Sequence, residues 1–231
     1  MPYNKSQARI DFETGTKSLK QVAKKVSYNS SPLNYDQKLL IFQSTMFLMS
    51  AKIEEYTKAL IENLIFNYKS NNAVMSEIPE NIRTKVLIDN QLIHYKNFNH
   101  NKDEKKLLEK ISCNKSYYEL LNLTNTFSNA INSKSVLATN KYPSVKNLKI
   151  LYIRIGINDI FNEVARRGQK DYKSQLESFL SIREAIAHQE APVMTFQDVE
   201  RHLDNLIDFI NKIDRVVYSH ITKISGEGYW S

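Results

Sequence analysis

The chain has 231 residues, is 42% hydrophobic and carries a formal charge of +7 at neutral pH, which is enough apolar material for one substantial core. Five glycines and five prolines argue against sandwiches, barrels and glycine-rich nucleotide loops, so long helices are the expectation. A single cysteine, Cys113, excludes an internal disulfide framework and a cysteine-based zinc site, and it reads as a passive thiol.

Residues 1–34 are polar and irregularly patterned and read as an N-terminal extension. Its opening "MPYNKSQARIDFETG" lacks the apolar core of a secretory signal, and no later run approaches the roughly 18 apolar residues of a membrane span. The expectation is a soluble, cytoplasmic protein with no membrane partner. Within the extension, "TKSLKQVAKKV" predicts a short helix bearing Lys17, Lys20, Lys24 and Lys25. A basic arm for RNA and a solvated helix face are both open readings.

From Tyr35 to Tyr68, Leu39, Phe42, Met46, Met49, Ile53, Leu60 and Leu64 recur at three- and four-residue steps, which draws one apolar stripe on a long helix. Glu54 lies at the edge of that stripe. "IPENIRTKVLIDNQLIHYKNF" predicts a second helix with Pro79 near its start. The stretch from Asn99 to Ser144 reads as two or three short helices joined by Asn/Ser/Lys loops. Two short helices follow, each closed by a glycine, Gly156 and Gly168, in the position beyond the helix end where a positive φ is needed. Residues 171–188 form the next helix, and Pro192 keeps "QEAPVM" a turn. The last helix begins at Thr195, where Thr195-x-x-Asp198 resembles a capping box. It carries Val199, Leu203, Leu206, Ile210, Ile213, Val217, Ile221 and Ile224, a seam for helix packing within the bundle or between subunits. One all-α domain over residues 35–225, with extra short helices and a tail at 226–231, is the economical architecture.

Arg183 breaks this order. With about 100° between successive helical residues, Leu176, Phe179, Arg183 and Ile186 all fall within about 40° of Tyr172, so Arg183 sits near the middle of an apolar face. An unpaired buried guanidinium would cost several kcal/mol. It needs an anionic partner such as Glu54, an opening onto a cleft, or a second subunit. His188 lies about 140° around an unbroken helix from Arg183. The two side chains can serve one site only if the helix ends or distorts near Ala187, if the long arginine reaches across, or if two chains complete the site. Glu184, four residues before His188, could accept a hydrogen bond from the imidazole.

The segment "LSIREAIAHQ", with Arg183-x4-His188 between an apolar helix and a capped final helix, resembles the signature of HEPN domains. The wider layout resembles their RiboL-PSP-type branch: "MFLMSAKIEEYTKALIENL" is similar to its first long helix, "YPSVKNLKILYIRIGI" to the segment before the motif helix, and "MTFQDVERHLDNLIDFINKIDRVV" to its closing helix. The resemblance covers roughly residues 37–222. It implies an elongated up-and-down helical bundle that forms a homodimer, with both motif copies along a shared cleft. It further implies metal-independent endoribonuclease activity with no cofactor, leaving a 2′,3′-cyclic phosphate and a 5′-OH. His188 would then assist proton transfer and Arg183 would bind the phosphate and stabilise developing charge. A toxin-like or antiviral role with an antitoxin or defence-system partner comes with the family, as does a runner-up, a catalytically inactive module that dimerises and binds RNA or protein.

One residue departs from the family pattern. The position after the arginine is often Asn, Asp or His, and here it is Glu184, a carboxylate that would repel RNA or orient His188. Glu54 has a supporting role, since an ion pair to Arg183 could hold it for phosphate; in the third reading that pair makes Arg183 a structural charge of a helical scaffold. Arg166, Arg167, Lys170 and Lys173, just before the motif helix, are candidates for the electrostatic approach of RNA, or a solvated turn. His94, His100, His202 and His220 have no metal-ligand spacing, so no metal site is expected.

Overall fold

Side-chain caps set the helix starts. In the computed structural model, which describes residues 2–137, 143–188 and 192–230, Ser6 accepts the Arg9 amide at the head of α1 (Gln7–Ser27). Asp103 caps α4 (Glu104–Cys113), Asp159 caps α8 (Ile160–Gly168) and Asp171 caps α9 (Tyr172–Ala187) in the same way. At the start of α10 (Phe196–Ser225), the Asp198 amide donates to Thr195 Oγ1 at 3.3 Å and the Thr195 amide donates to Asp198 at 3.1 Å. That is the reciprocal box the sequence predicts. The remaining helices are α2 (Tyr35–Ser70), α3 (Glu80–Asn101), α5 (Lys115–Tyr118), α6 (Ser133–Leu137) and α7 (Val145–Arg154). Among the described residues the fold is all-α; an isolated antiparallel bridge joins Val74 to Thr126.

The chain divides into two compact units. The first comprises residues 1–60, 140–149 and 159–217, and the second the remainder. In the first unit, Phe42, Met46, Met49, Ile53 and Tyr56 of α2 are buried, as are Phe161, Phe179 and Phe209 of α8, α9 and α10. Phe209 stacks on Phe161 and Tyr172 with ring centroids 5.7 and 5.9 Å away, an aromatic packing worth about 1 kcal/mol per pair beyond area burial.

The N-terminal extension carries a helix with a buried face. α1 runs for 21 residues and buries Ala8, Phe12, Thr16, Ala23 and Val26. Lys20, read as part of a basic arm, is drawn to Asp204 at 2.8 Å and Glu200 at 3.1 Å of α10. The sequence signal is weak because α1 buries small and polar residues alongside a single Phe.

In the second unit, buried Arg83 donates to the carbonyls of Ile78 and Leu120, and buried Tyr68 pairs with Ser225 at 2.7 Å. The segment at 226–230, read as a tail, is fastened there. Tyr229 donates to Glu77 at 2.7 Å, and Trp230 meets the Tyr218 ring edge-on.

Gly156 has φ +96°, the positive value expected beyond α7. Gly168 does not play that part: it lies inside α8, and Gln169 adopts the left-handed conformation at φ 52°. The reason for the glycine is close approach, because a Cβ there would sit 2.0 Å from the Tyr172 hydroxyl. Gly168→Ala should therefore displace Tyr172, which donates to Asp208 at 2.9 Å, and destabilise the protein by about 1 to 3 kcal/mol. Thermal melts of the two proteins would read this directly, and an unchanged midpoint would show that the phenol moves freely.

Candidate active site

Helix α9 buries Tyr172, Leu176 and Phe179, and the same stripe leads to Arg183, which is half-buried. Its guanidinium carbon lies 5.0 Å from the centroid of the Phe47 ring on α2. Such a cation–π contact is worth about 0.5 to 1 kcal/mol at an accessible site. A contact of this kind is made through the ring face and the cation, and does not itself use a directional N–H donor. Glu54 sends its carboxylate to Lys58 on its own helix at 2.6 Å. Among the described residues no ion pair joins Glu54 to Arg183, so the supporting role expected of Glu54 has no direct contact behind it.

The helix ends at the motif histidine. Ala187 is its last residue, and His188 follows as the cap with φ −94° and ψ 11°. The His188 amide donates to the Glu184 carbonyl at 3.1 Å, so its backbone closes the helix while its ring stays exposed. Because the His188 amide keeps the helical bond to Glu184, its offset of about 140° from Arg183 largely persists, and the reach of the long arginine or a second chain has to bring the two side chains to one site. Glu184 is also exposed, and among the described residues its carboxylate makes no hydrogen bond to the imidazole. Gln189 and its two successors, the first half of the predicted turn, lie outside the described residues.

Phe47 is the residue that sequence reasoning missed. Leu40, Phe47 and Leu48 are exposed apolar residues of α2, off the buried stripe, and Leu40 and Phe47 are seven residues apart on one face. A helix apolar on two sides was the available signal. In α10, by contrast, seven of the eight predicted seam residues are buried and Ile224 alone is 40% exposed. That seam is buried within the chain, whereas α2 leaves Leu40, Phe47 and Leu48 exposed, with Phe47 in contact with Arg183.

The basic turn before α9 is largely compensated. Arg166 pairs with Glu163, Lys170 with Asp208 at 2.7 Å and Lys173 with Glu177 at 3.8 Å, while Arg167 is exposed. Partial burial pushes the Asp208 carboxyl up, but hydrogen bonds from Lys170 and Tyr172 and the charges of Lys170 and Lys212 outweigh this and hold it below the usual aspartate range. A depressed carboxyl stabilises the fold above its unfolded-state value and loses that contribution as pH falls through the folded value. Denaturation midpoints should thus drop as pH goes below about 4, and Asp208→Asn should flatten that portion of the curve.

Three of the other four histidines, His94, His202 and His220, have structural partners. His202 is buried beside Phe179, with ring centroids 6.5 Å apart, and burial lowers its pKa. A ring nitrogen of His220 meets the Ile155 carbonyl at 2.9 Å, and one of His94 meets Asn114 at 2.7 Å. Among the described residues no group of three His, Cys, Asp or Glu side chains could hold a metal ion, and no helix is long and apolar enough to cross a membrane.

An all-α fold with an arginine on the apolar stripe of a helix and a histidine as the first residue past its end has the form of a HEPN domain. A family model described as RiboL-PSP-HEPN matches residues 13–219, most of the chain, and the protein belongs to that family. No curated protein and no solved structure matches it.

Proposed function

We propose that this protein is a metal-independent endoribonuclease whose active site is built from Arg183 and His188 of two chains. The observation that carries the reading is the position of Arg183, laid on Phe47 within an exposed apolar surface and followed by an exposed His188 at the helix end. That surface, with Leu40 and Leu48, is a suitable seat for a second copy, and the two copies would bring two arginines and two histidines to one cleft. One histidine accepts the proton of a ribose 2′-OH as that oxygen bonds to the phosphorus; the bond to the 5′ oxygen breaks and that oxygen is protonated by the second histidine. The arginines bind the non-bridging oxygens and offset the charge that builds on them. The products are a 2′,3′-cyclic phosphate and a 5′-OH.

Family membership supports a role as an effector that cuts cellular or phage RNA, controlled by an antitoxin or a defence-system partner. Glu184, exposed beside Arg183, favours the second reading, a catalytically silent module that dimerises and binds RNA or protein. Incubating the purified chain with total RNA in excess EDTA separates the two. Cleavage whose 3′ ends resist phosphatase until acid opens the ring supports the enzyme. Uncut RNA that is nevertheless bound supports the silent module.

A further inference from the structure

Between Val86 and Leu120 no residue is buried, although this segment carries Ile88, Leu92, Ile93, Tyr95, Phe98, Leu108 and Tyr118. It comprises the second half of α3, α4 and α5, and α3 and α4 pack on each other. Between them runs a groove of about 460 Å³, lined in part by His94, Asn97, Phe98, Asn101, Lys106 and Lys110. Phe98 is half-buried in it, and the Lys102 ammonium lies 5.9 Å from its ring centroid. Two amides, a histidine and a phenyl ring thus line the groove together with Lys106 and Lys110, and Lys102 lies beside that ring.

The charge balance identifies the occupant. Lys96, Lys102, Lys105, Lys106, Lys110 and Lys115 lie along this arm, and among the described residues only Lys106 has an acidic partner, Asp103 at 3.1 Å. Asp103 is itself occupied as the cap of α4, accepting the Lys106 amide at 3.0 Å. Of the acidic residues here, Asp103 lines the groove, whereas Glu104 and Glu109 of α4 do not. The basic turn at Arg166, Lys170 and Lys173, by contrast, has a carboxylate on each of those three cations.

The geometry points to the α3–α4 groove as a single-stranded RNA-binding site in which a base stacks on Phe98, the amides of Asn97 and Asn101 contact base edges or ribose, and Lys102, Lys106 and Lys110 take the phosphates. Aromatic stacking accepts any base, and the lysines add a sequence-independent, salt-sensitive attraction. The assignment builds on RNA as the substrate of the Arg183–His188 site, and it gives the chain a second RNA-binding surface.

The test is fluorescence anisotropy of a labelled, single-stranded oligoribonucleotide with the full-length chain across a range of salt. A binding readout is independent of cleavage, so His188→Ala serves as the parent for every variant. Lys102→Gln, Lys106→Gln and Lys110→Gln together should reduce the slope of log affinity against log salt by about 2, and Phe98→Leu should weaken binding roughly 5- to 100-fold. Leucine keeps the apolar bulk of Phe98 and the lysine sites are exposed, so melting curves should match the parent. Variants that bind RNA like the parent, with the same salt slope, would overturn the groove assignment and leave the nuclease reading standing. Failure of the parent to bind RNA at any salt would overturn it too, and the EDTA cleavage assay would then decide separately on the enzyme. Loss of co-purification with a protein partner, at unchanged RNA affinity, would reassign the arm to protein recognition.

Discussion

Replacing His188 with alanine should slow RNA cleavage by roughly 10²- to 10⁴-fold, the span of a general acid or base removed from its transition state. The fold should be untouched, because the ring is exposed and the structural task of His188 belongs to its backbone amide. Arg183→Ala should cost about 10²-fold or more through loss of charge stabilisation. The informative variant is Arg183→Lys. It keeps the charge but has one point donor in place of a planar fork, and it stacks less well on Phe47, so it should remain close to the alanine variant. Single-turnover cleavage of an end-labelled RNA, beside thermal melts of each protein, gives both readouts. Equal cleavage by wild type and both alanine variants would trace the activity to a contaminant. A loss of activity that tracks a loss of melting temperature at Arg183 would return that residue to the scaffold reading.

The sequence made the motif region legible because its signals are local. A capping box, a glycine at positive φ and a 3.6-residue period are each set by neighbours within one helical turn, and Thr195, Gly156 and the buried stripe of α10 behave accordingly. The rest depended on distant partners. Gly168 looked like a helix terminator, and only the position of Tyr172 across the following turn explains it. Glu54 was one candidate counter-ion for Arg183, and Lys58 one turn away pairs with it at small entropic cost. Phe47 could not be assigned to the site because a one-dimensional pattern shows that α2 has a second apolar face without showing what lies on it. Asp214 stands in "INKIDRVV" amid residues of a core seam, and its partners lie 158 to 211 positions earlier, beyond the reach of any local pattern.

Asp214 is fully buried, and its carboxylate accepts hydrogen bonds from the Ser6 hydroxyl at 2.5 Å, the Ser6 amide at 3.2 Å, the Tyr56 hydroxyl at 3.2 Å and the Tyr3 hydroxyl. Arg9 donates to the Tyr3 oxygen at 2.6 Å, and the Arg215 guanidinium lies 4.4 Å from the Tyr3 ring centroid. Burial, together with the neighbouring carboxylate, pushes the Tyr3 phenol far up, so it stays a donor and relays the positive charge of Arg9 toward Asp214. Truncating Asp214 to alanine orphans up to four donors at once. With each unsatisfied buried group costing about 1 to 3 kcal/mol, the protein should lose about 3 kcal/mol or more, a urea midpoint shift on the order of 1 M. Asp214→Asn keeps the volume and one acceptor oxygen and should fall between. Asp204→Asn, which breaks the accessible pair with Lys20, should cost no more than about 1 kcal/mol. Because Tyr3 and Ser6 hold the head of α1 to α10, the alanine variant should also expose α1 to proteolysis before the rest of the first unit. Equal urea midpoints for Asp214→Ala and Asp204→Asn would mean that the buried network contributes no more than a surface pair, and that apolar burial along α1 suffices to hold the helix.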